Sequence, residues 1–218
     1  EDGIAGADGF ATYRLRLLVS GDEDLALYIP SAQTTYELWI NGILKASVGV
    51  VSSTPDQGVP AYRLTASRMP KGVEIVDLVL RVSNYHFREG GLTRSIYVDE
   101  ADRVMLSVQR GFTVGAVLFG ASVIIGIYHV CLYLWQRDRR SYLYLAILAI
   151  AIALRTLVTS SQLVQVWPPN MSWTVQIKLE YLTSYAVPAT FVCFTRRLFP
   201  LEVSQLVRNI WLVIAGVG

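Results

Sequence analysis

From Phe112 to Trp135 the chain runs for 24 residues without a formal charge. At about 1.5 Å per residue a helix of that length spans roughly 36 Å, enough to cross a hydrocarbon core of about 30 Å with some tilt. In water the same segment would have to be buried on every side, and apolar runs above about 18 residues seldom occur in soluble helical proteins. This part of the chain is therefore expected to have the lipid bilayer as its first partner.

Further runs follow. Tyr142 to Val166 is interrupted only by Arg155, and the stretch from about Trp173 to Leu198 carries Lys178 and Glu180 near its start and Pro188 inside. Membrane helices tolerate such a proline, because neighbouring groups satisfy the backbone it frees. The sequence thus predicts a transmembrane region over residues 112–218, with helices at about 112–135, 142–166, 173–198 and a truncated one at 206–218. With no initial Met, no signal pattern at Glu1 and an ending inside an apolar run, the chain reads as a fragment of a longer one.

The short loops set an orientation, since Lys and Arg next to membrane helices are retained on the cytoplasmic side. The first loop carries Arg137, Arg139 and Arg140, the second, SSQLVQVWPPNMS, carries no charge, and the third carries Arg196, Arg197 and Arg208. Basic, neutral, basic puts residues 1–111 outside the cytoplasm, with Trp135, Tyr142 and Tyr144 as interfacial aromatics. The expected location is a bacterial cytoplasmic membrane with the N-terminal part on its outer, periplasmic or extracellular, side.

Composition agrees with a chain that is half membrane and half soluble. It is 53% hydrophobic with a mean hydropathy of +0.41, too low for a protein embedded throughout. The first 111 residues hold 11 Lys+Arg against 14 Asp+Glu, and the remainder 8 against 3. The basic excess lies in membrane loops, which argues against nucleic acid as a partner. Cys131 and Cys193 both sit in apolar runs, where a thiol behaves as a small hydrophobe, so neither a disulfide framework nor a metal site is expected.

Residues 1–100 read as β throughout. FATYRLRLLVS alternates with the period of a strand that has one wet face, and TYELWINGILKAS sets Asn41-Gly42 between two such runs, the signal for a hairpin with a type I′ turn. Further strands are predicted at Leu25–Ile29, Tyr62–Ala66, Val73–Asn84 and Leu92–Val98. Short strands, loops rich in Gly, Pro and Ser, and no amphipathic helix predict an antiparallel sandwich joined by a short linker, 101–111, to the first membrane helix.

The most informative strand is VEIVDLVLRVSNYHFREGGL. Val76, Leu78, Leu80 and Val82 share one face, and continuing the alternation carries Asn84, His86 and Arg88 onto that face before Gly90-Gly91 turns the chain. An apolar body ending in a polar rim is how a sandwich builds a shallow ligand site, with Tyr62, Arg63 and Arg94 as further candidates for the same rim. The competing account has Asn84 closing a turn, His86 satisfied at an edge, and Arg88 paired with Glu89 or Asp99. Trp39, in an alternating strand, reads as core rather than as a stacking platform, and the Asp22–Asp24 run as a solvated turn rather than a calcium loop. With two histidines, one of them in a membrane run, and neither a nucleophile motif nor a clear carboxylate pair, no catalytic constellation is expected and no cofactor is called for.

Inside the membrane, Arg155 is costly in hydrocarbon and has to face other helices or snorkel. By helical rise Arg155 lies roughly 16 Å and Glu180 roughly 10 Å below the outer ends of their helices, so an ion pair between them is feasible, with Lys178 as competitor. His129 is either a packing hydrogen bonder or part of a signalling path. Small residues at four-residue spacing (Gly111 and Gly115, Ala116 and Gly120, Ser122 and Gly126) permit close helix approach, in ordinary bundle packing or in a homodimer.

LWINGILKASVG followed by VP, then LRVSNYHFREGGLTRSI, then GIYHVCLYLWQRDRRSYLYLAILAIAIALRTLVTS together resemble the bacterial seven-transmembrane receptors with diverse intracellular signalling modules, of the kind with the type 2 extracellular domain. The resemblance runs from about Phe10 over nearly the whole chain. It implies a jelly-roll-like sensor related to carbohydrate-binding modules, a seven-helix domain and a cytoplasmic output such as a diguanylate cyclase, histidine kinase, nucleotide cyclase or phosphatase. The expected function is a membrane signalling receptor whose outer domain senses a small polar ligand, a saccharide or a carboxylated compound, and this fragment itself is not expected to be an enzyme. The alternatives are a membrane-anchored adhesion or envelope-scaffold protein and a membrane enzyme or transport component.

Overall fold

The computed structural model describes residues 7–30, 34–88, 90–92, 94–164, 166 and 171–199. Among these, seven strands and one short 3-10 helix (Pro55–Gln57) precede three α-helices: β1 (Gly9–Leu18), β2 (Leu25–Ile29), β3 (Thr35–Ile40), β4 (Ile43–Val48), β5 (Thr65–Arg68), β6 (Ile75–Asn84) and β7 (Tyr97–Glu100), then α1 (Ala101–Trp135), α2 (Arg140–Thr159) and α3 (Trp173–Leu198). The chain divides into two compact units, Glu1–Gly111 and Phe112–Gly218. Residues 101–111, read from sequence as a linker, are the first turns of α1, and the span expected at 206–218 lies outside the described residues.

In the first unit the strands form two antiparallel sheets, ordered β1-β6-β3-β4 and β5-β2-β7. Each strand sends alternate residues inward, as the pleat requires. Leu27 and Ile29 from the small sheet meet Tyr36, Leu38, Ile40, Val76, Leu78, Leu80 and Val82 from the large one in a single buried cluster. The β3–β4 hairpin turns at Asn41 and Gly42, both at positive φ (50° and 77°), the backbone that the Asn-Gly pair was expected to supply. Tyr36 crosses between the layers: its hydroxyl is hydrogen-bonded to the Arg63 carbonyl oxygen at 3.0 Å and to the Thr65 hydroxyl at 2.6 Å. Burial pushes its pKa up to about 12.

Three strand readings need correction. β5 begins at Thr65, not Tyr62, because the preceding residues connect the sheets: Val59 bridges to Val50, Ala61 N–H donates to Thr34, and the Arg63 carbonyl serves Tyr36. β7 begins at Tyr97 and runs on to Glu100, where Ala101 N–H donates to the Asp24 carbonyl and α1 starts. Trp39 is not in the core but on the outward face of the large sheet, half-buried, its indole N–H donating to Glu37, which also pairs with Arg81 at 3.2 Å.

In the second unit, α1 and α2 are long and apolar enough to cross a membrane. Val117 and Ile124 of α1 stand 63% and 69% exposed, the pattern of a helix whose solvent is hydrocarbon. α3 falls short of that hydropathy because Gln176, Lys178, Glu180, Thr183 and Ser184 interrupt it. The helices run antiparallel in sequence order. A Cβ placed on Gly115 would lie 3.0 Å from the Ser160 hydroxyl, and one on Gly126 would lie 2.9 Å from Ile150 of α2, while Gly120 faces open space. The small-residue spacing therefore serves α1–α2 packing at Gly115 and Gly126.

Candidate functional site

The rim expected at the end of β6 is built differently from its sequence reading. Alternation stops at Asn84, which is 3% exposed and uses its whole amide internally. Its Nδ2 donates to the Ala7 and Phe87 carbonyls at 2.9 and 2.6 Å, and its Oδ1 accepts from the backbone N–H groups of His86 and Phe87. An Asn that caps its own turn curls the chain out of the strand, so His86 and Arg88 do not continue along the inner face. Both are exposed, and the His86 ring Nε2 lies 2.9 Å from the Gly58 carbonyl. Gly90 belongs to the same device, since a Cβ there would collide with the Ala7 carbonyl and come within 3.0 Å of Asn84 Nδ2. The motif with Asn84 and Gly90-Gly91 is thus a closure that ties the entry of β1 to the exit of β6.

Behind Asn84 lies a buried polar knot. The Ser83 hydroxyl is 2.7 Å from that of Thr35 and accepts from the Ser52 backbone N–H at 3.2 Å, while Thr35 also donates to the Ser83 carbonyl. A groove of about 380 Å³ opens beside this end, lined by Asp8, Phe10, Tyr13, Ser83, Asn84 and Gly90 among others. Its best-placed polar side chain, Asn84, is already committed.

The other rim candidates fall elsewhere. Arg63 is exposed near Tyr36, whose hydroxyl donates to its carbonyl. Tyr62 and Arg94 act electrostatically on Tyr28, which lies on the outward face of the small sheet. There Tyr28 and Tyr97, directly opposed across β2 and β7, stack with ring centroids 4.7 Å apart and planes at 26°. Burial raises the Tyr28 pKa first, then Tyr97; Arg94 opposes the shift and Tyr62 adds to it, so both act on the Tyr28 hydroxyl. The same face seats the first turn of α1: Ala26, Ala101 and Val104 form a buried cluster with Tyr28 and Ala66 packed against it. Arg68 pairs with Asp24 and Asp102 (3.7 Å each), Lys71 with Asp24 (3.0 Å), and Arg103 with Asp99 and Glu100 (3.5 and 3.3 Å). These cations balance a groove of about 500 Å³ lined by Glu23, Asp24, Asp99, Glu100 and Asp102. Among the described residues no group of three or more His, Cys, Asp or Glu is arranged to hold a metal ion. The sequence reading missed Tyr28 and Tyr97; alternation in LALYI does set Tyr28 opposite to Leu27, but nothing local says that Tyr97 comes beside it.

Among the membrane residues, Arg155 reaches from α2 to α3, though not to a carboxylate. Its guanidinium donates to the Ser184 hydroxyl and, at 3.5 Å, to the Glu180 backbone carbonyl. Gln176, 4% exposed, adds a second tie by donating to the Val158 carbonyl at 3.1 Å. Lys178 is exposed. His129 is turned to its own helix, Nδ1 lying 2.8 Å from the Ile125 carbonyl, with Tyr142 of α2 6.4 Å away between ring centroids. Arg137, Arg139 and Arg140 lie at the turn from α1 to α2, and Arg196 and Arg197 in the last turn of α3. In an antiparallel succession of three helices these two clusters share one end.

Residues 112–218 match the family described as 7TM diverse intracellular signalling. No curated protein matches the chain. Among solved structures, a putative beta-galactosidase from Bacteroides fragilis is similar over 42% of this chain and 15% of its own, at 14% identity and a TM-score of 0.32. A GH2 beta-galacturonidase from Eisenbergiella tayi, solved with galacturonate bound, is similar over 43% and 17%, at 16% identity and the same TM-score. The chain thus spans less than a fifth of either enzyme, and likenesses this slight carry no argument about fold or ligand.

Proposed function

With residues 112–218 belonging to the 7TM diverse intracellular signalling family, we propose that the chain is the sensing and membrane portion of a signalling receptor. In this reading the two-sheet unit is a jelly-roll-type sensor outside the cytoplasmic membrane. The helices form part of a transmembrane bundle, and a cytoplasmic output module acts on their signal. In this reading residues 1–218 carry no catalytic step of their own. The family match is the observation that carries the reading. Support comes from α1, whose apolar side chains stand exposed as lipid-facing residues do, and from the arginine clusters at one end of α1–α3, which favour that end as the cytoplasmic one. A ligand shifts such a receptor only by binding one of its states better than the other.

Labelling of single cysteines in intact spheroplasts with a reagent that cannot cross the bilayer tests the orientation, after Cys131 and Cys193 are replaced by serine. Ser53→Cys, in the β unit, should be tagged, and Ser141→Cys, after the arginine turn, should react only once the membrane is opened. The reverse pattern would put the β unit in the cytoplasm and end the receptor reading.

A further inference from the structure

The turn from α1 to α2 is short and fixed. Four residues separate Trp135, where α1 ends, from Arg140, where α2 begins. The Gln136 N–H donates to the Leu132 carbonyl at 2.8 Å, the Arg139 N–H to the Gln136 carbonyl at 3.1 Å, and the Tyr142 N–H to the Arg139 carbonyl at 3.1 Å. The guanidinium groups of Arg137, Arg139 and Arg140 therefore stand on one preset backbone, so little chain entropy is lost when something binds them.

Their charge is uncompensated. Asp138 is the only carboxylate in the turn, and α2 has no acidic residue in its first turn. All four charged residues are exposed, and among the described residues none of their side chains makes a hydrogen bond or an ion pair. By contrast Arg14, Arg68, Arg81 and Arg103 of the β unit are each paired with a carboxylate. Like charges held this close repel, and a bound anion relieves the repulsion.

An apolar collar adjoins the cations. Leu134 and Trp135, the last residues of α1, are 56% and 81% exposed. The end of α3 repeats the combination, with Arg197 exposed beside Leu198 and Phe199, which are also exposed. A tryptophan at the end of a membrane helix sits at the level of the headgroups, its ring against the upper acyl chains. An occupant of the turn has therefore to bring negative charge and hydrocarbon to the same level. A soluble anion or an acidic protein surface would leave Leu134 and Trp135 uncovered, and a zwitterionic phospholipid would set its own cation against the arginines.

We propose that the α1–α2 turn selects an anionic phospholipid, its phosphate held by Arg137, Arg139 and Arg140 and its acyl chains against Leu134 and Trp135. The inference rests on the reading of these helices as membrane spans and adds the class of lipid they take.

The test is native mass spectrometry of the full chain in detergent micelles, titrated with phosphatidylglycerol or with phosphatidylcholine of the same acyl chains. Phosphatidylglycerol should bind saturably and about tenfold or more tighter. The triple variant Arg137→Gln, Arg139→Gln, Arg140→Gln should bring it to the level of phosphatidylcholine, Trp135→Ala should weaken both lipids, and Lys178→Gln, on α3, should change neither. Thermal unfolding in the same micelles checks that each variant folds. Should the triple variant not fold, Arg137→Gln alone is expected to lower the preference about fivefold. Equal affinity for the two lipids, wild-type preference in the arginine variants, or unchanged lipid affinity in Trp135→Ala would each overturn the assignment. Displacement of the lipid by an equal concentration of glycerol 3-phosphate would overturn it in favour of a free phosphate, and displacement by polyglutamate in favour of an acidic protein surface. Binding is read in micelles, where the chain has no inner or outer side, so this site and the orientation tested at Ser53 and Ser141 fail separately.

Discussion

Replacing Tyr36 by phenylalanine removes one oxygen from the middle of the β unit and tests how its two sheets are held together. Tyr36 is 0% exposed, and its hydroxyl is the polar tie from β3 to the start of β5. Phenylalanine keeps the ring, so packing is preserved and the loss is that of the hydrogen bonds. With the Arg63 carbonyl left short of a donor, the cost at neutral pH should be about 1–2 kcal/mol. The alkaline behaviour is more discriminating. In the unfolded chain the phenol titrates near 10.0, and in the fold only at about 12. The fold therefore keeps a proton that the unfolded chain has lost. That contribution is intact below the unfolded pKa and declines as pH rises through the interval, at about 1.4 kcal/mol per pH unit. The variant has nothing to titrate at this position. Urea midpoints of the full chain in nanodiscs, followed by near-ultraviolet circular dichroism, should show the variant less stable at neutral pH, the gap closing at pH ~11 and reversing above it. Equal midpoints at neutral pH, or parallel alkaline slopes, would refute the account of Tyr36 as a buried, neutral tie.

Three substitutions test the glycines by position. Gly90→Ala should destabilise the β unit by about 1–3 kcal/mol, because its Cβ meets the Ala7 carbonyl and Asn84, and amide exchange at the start of β1 should rise in the same variant. Gly126→Ala should lower the thermal unfolding midpoint of the helices in detergent by forcing Ile150 aside, whereas Gly120→Ala, facing open space, should stay within about 0.5 kcal/mol of wild type.

Much of this protein was legible from local pattern. The period-two alternation in β6 gave Val76, Leu78, Leu80 and Val82 as core, and all four are buried. Asn41-Gly42 gave the hairpin, because few residue pairs accept two consecutive positive φ values. The uncharged run of α1 gave a membrane, since length and polarity are all that a bilayer reads. The site was less legible. The same alternation, extended past Asn84, put His86 and Arg88 on the inner face; it failed because a side-chain amide that caps its own turn competes with strand continuation, and periodicity contains no term for that competition. Arg155 was expected either to face other helices or to snorkel; its acceptors are a serine and a backbone carbonyl of α3, and which neighbour it meets depends on how α2 and α3 are rotated.

By itself the sequence determined the strands with clear alternation, though not where β5 and β7 begin, the two helices greasy enough for lipid, and where tight turns are permitted, because each of these depends on residues within a few positions of one another. Only the tertiary structure decided that Tyr28 and Tyr97 lie face to face, that Asn84 reaches back to Ala7, and that Tyr36 ties one sheet to the other. Those pairings join residues far apart in the chain. They are fixed by strand order and register, which express how the whole β unit buries its apolar faces at once.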